Sequence, residues 1–420
     1  MLTRTRMSDP EVYSIVAAEL QRQSHTIEMI ASESIAPAEV MELSGSIFTN
    51  KTEEGYPGAR FQAGSEEADK LERLAIERAK TLYGAEHANM QPYSGTTANY
   101  CVYGAVLEPG DRILSMRLDQ GGHLTHGSPA NFLSKVYDYD FYGVDVEKER
   151  IDYEEMEKKA LALRPKLIIG GGSSYPRLID YERMEQIARK SVAMLMIDMA
   201  HVAGLVAAKV IPSPVPHADF VTSSTTKTFC GPRSGMILCK AAHAKALDKG
   251  VFPGVLGSLH IHTMAAKAFS LQYAGTESFR VLMRQILLNA KALAKALEEH
   301  GFRIVSGGTD NHLVMVDLRP KKLTGKVFDE ALESIGITVN KNMIPFDPEG
   351  PRITSGVRIG LTNVTQRGMQ EKEVCTIASI MNQVAENPAD DANLASCRNQ
   401  AHELSRRFCL YPPEIFDNLL

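Results

Sequence analysis

From about residue 66 onward, short apolar runs closed by turn residues alternate with longer stretches of helical spacing. Asp111–Met116, Lys166–Gly170, Val192–Asp198, Asp219–Thr225 and Gly235–Lys240 are brief, apolar and bounded by turns, which predicts buried strands. Between them, Glu66–Gly84, Tyr153–Arg164 and Tyr181–Ser191 space their apolar residues as helices do. Alternation of this kind predicts an α/β fold with a mostly parallel sheet covered by helices. Leu282–His300 reads as a long amphipathic helix linking this domain to the next. Beyond Gly301 the pattern predicts a smaller α/β domain, with strands at Phe302–Ser306, His312–Asp317, Ile337–Asn340 and Gly356–Gly360. Helices at Lys372–Glu386 and Asn393–Phe408 close it. Pro10–His25 reads as a helix placed to lie across another subunit. The expected division is an N-terminal arm at 1–25, a large domain at 26–281, and a linker helix with a small C-terminal domain at 282–420.

Composition narrows the classes. A chain of 420 residues exceeds one simple core, in keeping with two domains. A net charge of -5 with interspersed signs gives no electrostatic reason to expect a nucleic-acid or membrane partner. No apolar run is long enough to span a bilayer, and Met1–Arg6 lacks the apolar stretch of a signal peptide. Cys101, Cys230, Cys239, Cys375, Cys397 and Cys409 are scattered without CxxC pairs. That predicts reduced thiols in a cytoplasmic protein, not a disulfide framework or a zinc site.

Two residues carry the chemistry. Lys227 ends a run of small hydroxyl residues that follows an apolar strand, and Gly231-Pro232 follows it. Asp198 ends the preceding apolar strand. In open α/β sheets ligands bind at the carboxyl ends of strands. Taken singly, Asp198 is as well read as a helix N-cap and Lys227 as a surface lysine. Together they point to a pyridoxal 5'-phosphate (PLP) site: a lysine to form a Schiff base, and an aspartate to hold the pyridine nitrogen protonated. Tyr93-Ser94-Gly95-Thr96-Thr97 supplies hydroxyls and backbone amides before a helical stretch, as a phosphate needs, although Ser-Gly-Thr is also an ordinary cap. His123 and His126 share a Gly-rich loop. No third metal ligand lies near them in sequence, so a His123 ring stacked on a flat cofactor is the better reading. His201 follows Asp198 by three residues and serves either the site or the core. Arg358, on an apolar strand, needs an anionic partner: a substrate α-carboxylate or a structural carboxylate.

These residues, in this order, resemble the serine hydroxymethyltransferase family, PLP enzymes of the aspartate-aminotransferase fold type. The resemblance runs through Ile30-Ala31-Ser32-Glu33, Glu54-Gly55-Tyr56-Pro57-Gly58, Gly121 to Pro129, Asp198 to Leu205, Gly307 to His312, Thr338 to Asn342 and Thr354 to Gly360. It implies a PLP-transferase fold and a homodimer or larger assembly with shared sites. It also implies roles. Lys227 binds PLP, Asp198 pairs with the pyridinium, and His123 stacks on the ring. His201 and Ser173 lie near its phenolic oxygen. Ser94, Gly95 and Thr96 hold the phosphate, with Gly257 of a neighbouring subunit. Arg358 and Ser32 hold the substrate carboxylate. Glu54 is the acid/base facing the substrate hydroxyl and folate.

The chain departs from the family pattern at clustered positions. Phe61-Gln62 stand where two tyrosines are usual, Thr52 for a tyrosine, Thr226 for a histidine and Phe346 for an asparagine. Val255-Leu256-Gly257-Ser258 replaces a glycine-rich stretch. With the cofactor residues intact, this predicts a small-molecule amino-acid substrate and no dependence on tetrahydrofolate. The expected chemistry is aldol cleavage or transfer, or oxidative decarboxylation, at Cα of a glycine-like or β-hydroxy amino acid. Retention of Glu54 favours the alternative, an ordinary folate-dependent enzyme. A non-catalytic PLP-binding protein is disfavoured by the joint presence of Lys227, Asp198 and Arg358.

Overall fold

The computed structural model describes residues 3–412 and 415, and these gather in two compact units. The larger runs from Ala36 to Arg284. The other joins the described residues up to Ile35 to those from Gln285 onward. These units divide the chain at positions other than the expected bounds 25/26 and 281/282. Residues 26–35 go with the second unit because Ile27–Glu28 pairs in parallel with Ile337–Thr338. The boundary at 284/285 falls inside the helix Glu277–Glu299.

The larger unit is built on a seven-stranded sheet. Its strands are β1 (His87–Asn89), β2 (Arg112–Met116), β3 (Asp138–Tyr142), β4 (Leu167–Gly170), β5 (Met194–Asp198), β6 (Phe220–Ser224) and β7 (Gly235–Cys239), in the order β1-β7-β6-β5-β4-β2-β3. Only β7 runs against its neighbours. The five strands expected from apolar runs are all present. β1 and β3 were not expected: His87-Ala88-Asn89 is short and polar at both ends. Asp138-Tyr139-Asp140-Phe141-Tyr142 carries the charged alternation of an edge strand.

Period two decides what faces the site. Met196 and Phe220 lie in the core with Ile113, Leu167, Ile169 and Ile237, under Ala98 and Val102 of the helix α1 (Gly95–Val106). Two residues further along, Asp198 and Thr222 point to the same face, and they are register partners. The parallel strands therefore deliver Asp198 and Ser224 to one edge of the sheet, on the side covered by α1. Gly171, just past β4, has φ 106°, and a Cβ there would collide with the Asp198 carbonyl, so only glycine suits that turn.

The second unit holds a four-stranded antiparallel sheet of β8 (Arg303–Ile304), β9 (Leu313–Asp317), β10 (Asn340–Asn342) and β11 (Gly356–Gly360), in the order β8-β9-β11-β10. The single strand expected at Ile337–Asn340 is divided: Ile337–Thr338 pairs with Ile27–Glu28, while Asn340 begins β10. Pro10–His25 is helical as expected, and His25 stacks on His402 of the helix Asp391–Arg407 with ring centroids 5.4 Å apart. No disulfide joins the described cysteines, and no helix among the described residues is long and apolar enough to cross a membrane.

One buried cation lies away from the residues that sequence motifs mark. Lys267, on the helix Ile261–Ala274, is 2% exposed and donates to the carbonyls of Met90 and Gly235. Burial pulls its ammonium from 10.5 down to about 7, against the attraction of Glu72. The unfolded chain therefore keeps this proton up to about 10.5, whereas the folded chain releases it near 7. Between these values the unfolded state binds more protons, so Lys267 makes stability rise with pH across that window. Lys267→Met should flatten this rise relative to wild type in urea denaturation measured from pH 7 to 10. Equal slopes for the two proteins would overturn the assignment.

Candidate active site

Asp198 is the most constrained polar group at the sheet edge. Its Oδ2 accepts from Asn99 Nδ2 (2.9 Å) and from His126 Nε2 (3.2 Å), and its Oδ1 accepts from the Ala200 N–H (3.0 Å). The His126 proton can be assigned from its contacts. Nδ1 accepts the His123 N–H at 3.3 Å, so the proton on Nε2 faces the carboxylate. Asn99 is wholly engaged: its second N–H goes to Thr125 Oγ1 (2.8 Å) and its oxygen accepts from Thr222 Oγ1 (2.6 Å). Thr125 Oγ1 is in turn 2.8 Å from His123 Nδ1. Burial alone would raise the Asp198 carboxyl. The hydrogen bond and field of His126, the nearby His123 and the Asn99 amide outweigh it and hold the group well below the usual carboxylate range. Asp198 is thus kept as a carboxylate with lone-pair capacity for a further donor.

His123, His126 and Asp198 bring three potential metal ligands within 4.8 Å, which corrects the expectation that no third ligand accompanies the histidines. The hydrogen bonds argue against a metal all the same. With Nδ1 accepting and Nε2 donating, His126 has no lone pair left to coordinate an ion.

Lys227 opens a short 3-10 turn after β6 with φ 53°, a left-handed conformation that is uncommon for a residue with a side chain. The surrounding loop is closed by Thr225 N–H to Ser234 O (3.0 Å), Gly231 N–H to Thr225 O (2.8 Å) and Thr225 Oγ1 to Pro232 O (2.6 Å). Lys227 Nζ stands 3.3 Å from Ser224 Oγ. Behind it, Thr228 Oγ1 donates to the His201 carbonyl (2.9 Å), which ties this loop to the one after β5.

His123, Asp198, His201 and Lys227 line a cavity of about 220 Å³ together with Tyr93, Ser94, Gly95, Thr96, Gly172, Ser173, Ala200, Ser224, Thr226, Arg233 and Ser234. Ser94 caps α1, its Oγ accepting the Thr97 N–H at 3.1 Å. The N–H groups of Gly95 and Thr96, in the first turn of α1, have no acceptor within the helix and suit an anion. Ser173 Oγ donates to Gly122 O (2.7 Å). A lysine, a held carboxylate and a helix N-terminus in one cavity fit PLP. Of the expected cofactor residues, Ser94, Gly95, Thr96, His123, Ser173, Asp198, His201 and Lys227 meet here.

Gly257 does not line this cavity. It adjoins Glu54, with a Cβ at Gly257 lying 3.8 Å from Glu54 Oε1. Arg358 and Ser32 belong to the second unit. Arg358 sits on β11 with its Nε 3.1 Å from Asn340 Oδ1, and burial pulls its guanidinium down to about 10. The Ser32 segment crosses the end of the same strand: Gly360 N–H donates to Met29 O (2.7 Å), and a Cβ at Gly360 would collide with Ala31. Of the divergent positions, Thr226 lines the cavity. Phe61 is 74% exposed and tilted against Phe252, and Phe346 is half exposed with φ 57°. Gln62 bonds to Glu54.

Asn99, His126 as a support of Asp198, and Arg233 emerge from the fold. Asn99 had a readable signal, as a lone amide among the apolar residues Ala98, Cys101 and Val102 of one helix. The proton-donating role of His126 depends on folding and had none.

The family model described as Serine hydroxymethyltransferase matches residues 5–381, and the chain belongs to that family. Its members depend on PLP, in keeping with the cavity residues.

Borohydride reduction of the PLP-loaded protein, followed by peptide mapping, should label Lys227; a label on any other lysine would sink the assignment. Arg358→Ala should weaken amino-acid binding by roughly 10- to 100-fold, the worth of about 1.5–3 kcal/mol for a charge-assisted pair. PLP retention should be spared, and titration of both ligands checks it. Unchanged amino-acid affinity would make Arg358 structural.

Proposed function

We propose that this member of the serine hydroxymethyltransferase family acts at Cα of a glycine-like or β-hydroxy amino acid, without folate. One observation carries the reading. Ser94, Gly95, Thr96, His123, Ser173, Asp198, His201 and Lys227 line one cavity, whereas Phe61, Gln62, Thr226 and Phe346 depart from the residues usual in the family. When bound, PLP supplies a sink for the electron pair left at Cα. Asp198 would hold the pyridine nitrogen and the first-turn N–H groups of α1 would hold the phosphate. Lys227 would hold the cofactor and move a proton at Cα. Arg358 and Ser32 hold the substrate carboxylate. Glu54 takes the proton of the β-hydroxyl as the Cα–Cβ bond breaks and the aldehyde leaves.

A homodimer or larger assembly with shared sites belongs to this proposal. Two features support it: Gly257 stands away from the cavity of its own chain, and the helix Pro10–His25 leaves Val12, Ile15 and Val16 exposed. Retention of Glu54 favours a second reading, the ordinary folate-dependent serine–glycine reaction, and one experiment separates the two. Phe346 offers a pterin edge no hydrogen bond, and an unmet buried polar group costs about 1–3 kcal/mol. Calorimetry with tetrahydrofolate in the presence of glycine should therefore show weak or no binding, and serine cleavage should proceed equally with and without it. Tight binding, with folate-stimulated exchange between serine and glycine, restores the second reading.

A further inference from the structure

Glu54 is held by its neighbour in sequence space, not by the sheet. Gly55–Tyr56 pairs antiparallel with Ala59–Arg60 across Pro57-Gly58, where Gly58 has φ 86°. Proline followed by a positive-φ glycine is the chemistry of a type II turn. The Phe61 N–H donates to the Glu54 carbonyl (3.2 Å), extending the pairing and bringing Gln62 beside Glu54. Arg60 anchors the hairpin. Its side chain is 3% exposed and bonds Asp69 Oδ1 (2.8 Å), Glu72 and the Gly55 carbonyl (2.7 Å). Ser65 Oγ lies 2.9 Å from both the Gln62 carbonyl and Glu53 Oε2, which fixes the chain on the far side.

On this frame the Gln62 side chain meets Glu54 twice. Its Oε1 accepts the Glu54 N–H at 2.8 Å, and its Nε2 donates to Glu54 Oε2 at 2.9 Å. The pair of contacts fixes the amide's orientation, because an N–H needs the oxygen and a carboxylate needs the nitrogen. Glu54 Oε2 is thereby occupied, and Oε1 is the oxygen that stands toward Gly257. The next residue, Ser258, accepts from the Tyr93 hydroxyl through its carbonyl at 2.5 Å, and Tyr93 lines the cavity. Burial raises the Tyr93 phenol, and the charge of Glu54 adds to this, as proximity requires.

We infer that Gln62 is a positioning residue that pins Glu54 Oε2 and so assigns to Oε1 the transfer of the substrate's β-hydroxyl proton. This deepens the proposed chemistry at Cα and rests on it. The amide itself takes no proton. The β-hydroxyl proton passes to Glu54 Oε1, the Cα–Cβ bond breaks, the aldehyde leaves with the C=O bond formed, and the electron pair remains at Cα. Deprotonation of glycine at Cα involves no hydroxyl and so bypasses the clasp.

The test uses the PLP-loaded enzyme and two readouts. One is aldehyde release from a panel of β-hydroxy amino acids, and the other is exchange of the glycine α-proton for deuterium followed by NMR. A misplaced catalytic group loses on the order of 10- to 100-fold in rate. Gln62→Met, which keeps the volume and removes both bonds, should lower kcat for cleavage by about that factor while KM and glycine exchange change little. Gln62→Leu, which can neither donate nor accept, should do the same and serves if the methionine variant folds poorly. Adding Gln62→Met to Glu54→Gln should cause little further loss, because the two act through one group. Equal losses of cleavage and exchange, or losses that multiply in the double variant, would show that Gln62 is structural only. Undiminished cleavage in both Gln62 variants likewise overturns the assignment. A wild type that exchanges glycine but cleaves no β-hydroxy amino acid overturns the proposed reaction, and this assignment with it.

Discussion

A carboxylate enclosed at the end of a strand is the constraint on which the larger unit turns. Removing Asp198 from water is costly unless its oxygens are met by donors. The donors come from three directions: Asn99 on α1, His126 in the glycine-rich loop after β2, and the Ala200 N–H just beyond β5. Two of these donors are themselves held, Asn99 by Thr222 and Thr125, and His126 by the His123 N–H. Slipping β5 by one residue would turn Asp198 to the opposite face and leave Asn99 with Thr222 but without its carboxylate. The same bonds that make the buried charge tolerable therefore specify how helix, loop and strands meet.

That arrangement also explains why the other polar features of the cavity lie nearby. Asn99 is about one turn from the start of α1, so docking it on Asp198 places the first-turn N–H groups of Gly95 and Thr96 close to the same strand edge. Ser224 ends β6 and packs at Gly95, where a Cβ would approach it to 3.4 Å. Lys227 then follows within three residues of Ser224, in a backbone conformation held by Thr225, Gly231 and Ser234. One helix and two adjacent strands thus fix the negative group, the anion-binding turn and the amine together.

Much of this was legible in the sequence. The five apolar strands, their flanking helices, and Asp198 and Lys227 at strand ends follow from period and turn chemistry. What escaped did so for physical reasons. β1 and β3 are formed by residues whose local pattern is polar, and only their sheet partners make them strands. The division of Ile337–Asn340 depends on which partner each end finds, Ile27–Glu28 or β11. His126 was weighed as half of a metal pair, since nothing in the spacing shows that Asp198 supplies its hydrogen-bond partner. Gln62 was read as a lost phenol, whereas its two bonds to Glu54 exist only once the Pro57-Gly58 turn has folded the chain back.

The two acidic groups are consequently held in different ways, suited to different tasks. Asp198 is met on both oxygens inside a closed network, which keeps it charged and still. Glu54 stands on a hairpin with one oxygen clasped and the other toward Gly257, so it retains an atom able to move a proton. A tyrosine at position 62 would bring a hydroxyl that both donates and accepts, and could itself pass a proton along. An amide at that position donates and accepts but does not ionise, so in the proposed reaction proton transfer on that side falls to Glu54. On that proposal, a glutamine at this position removes an ionisable group while leaving the carboxylate held.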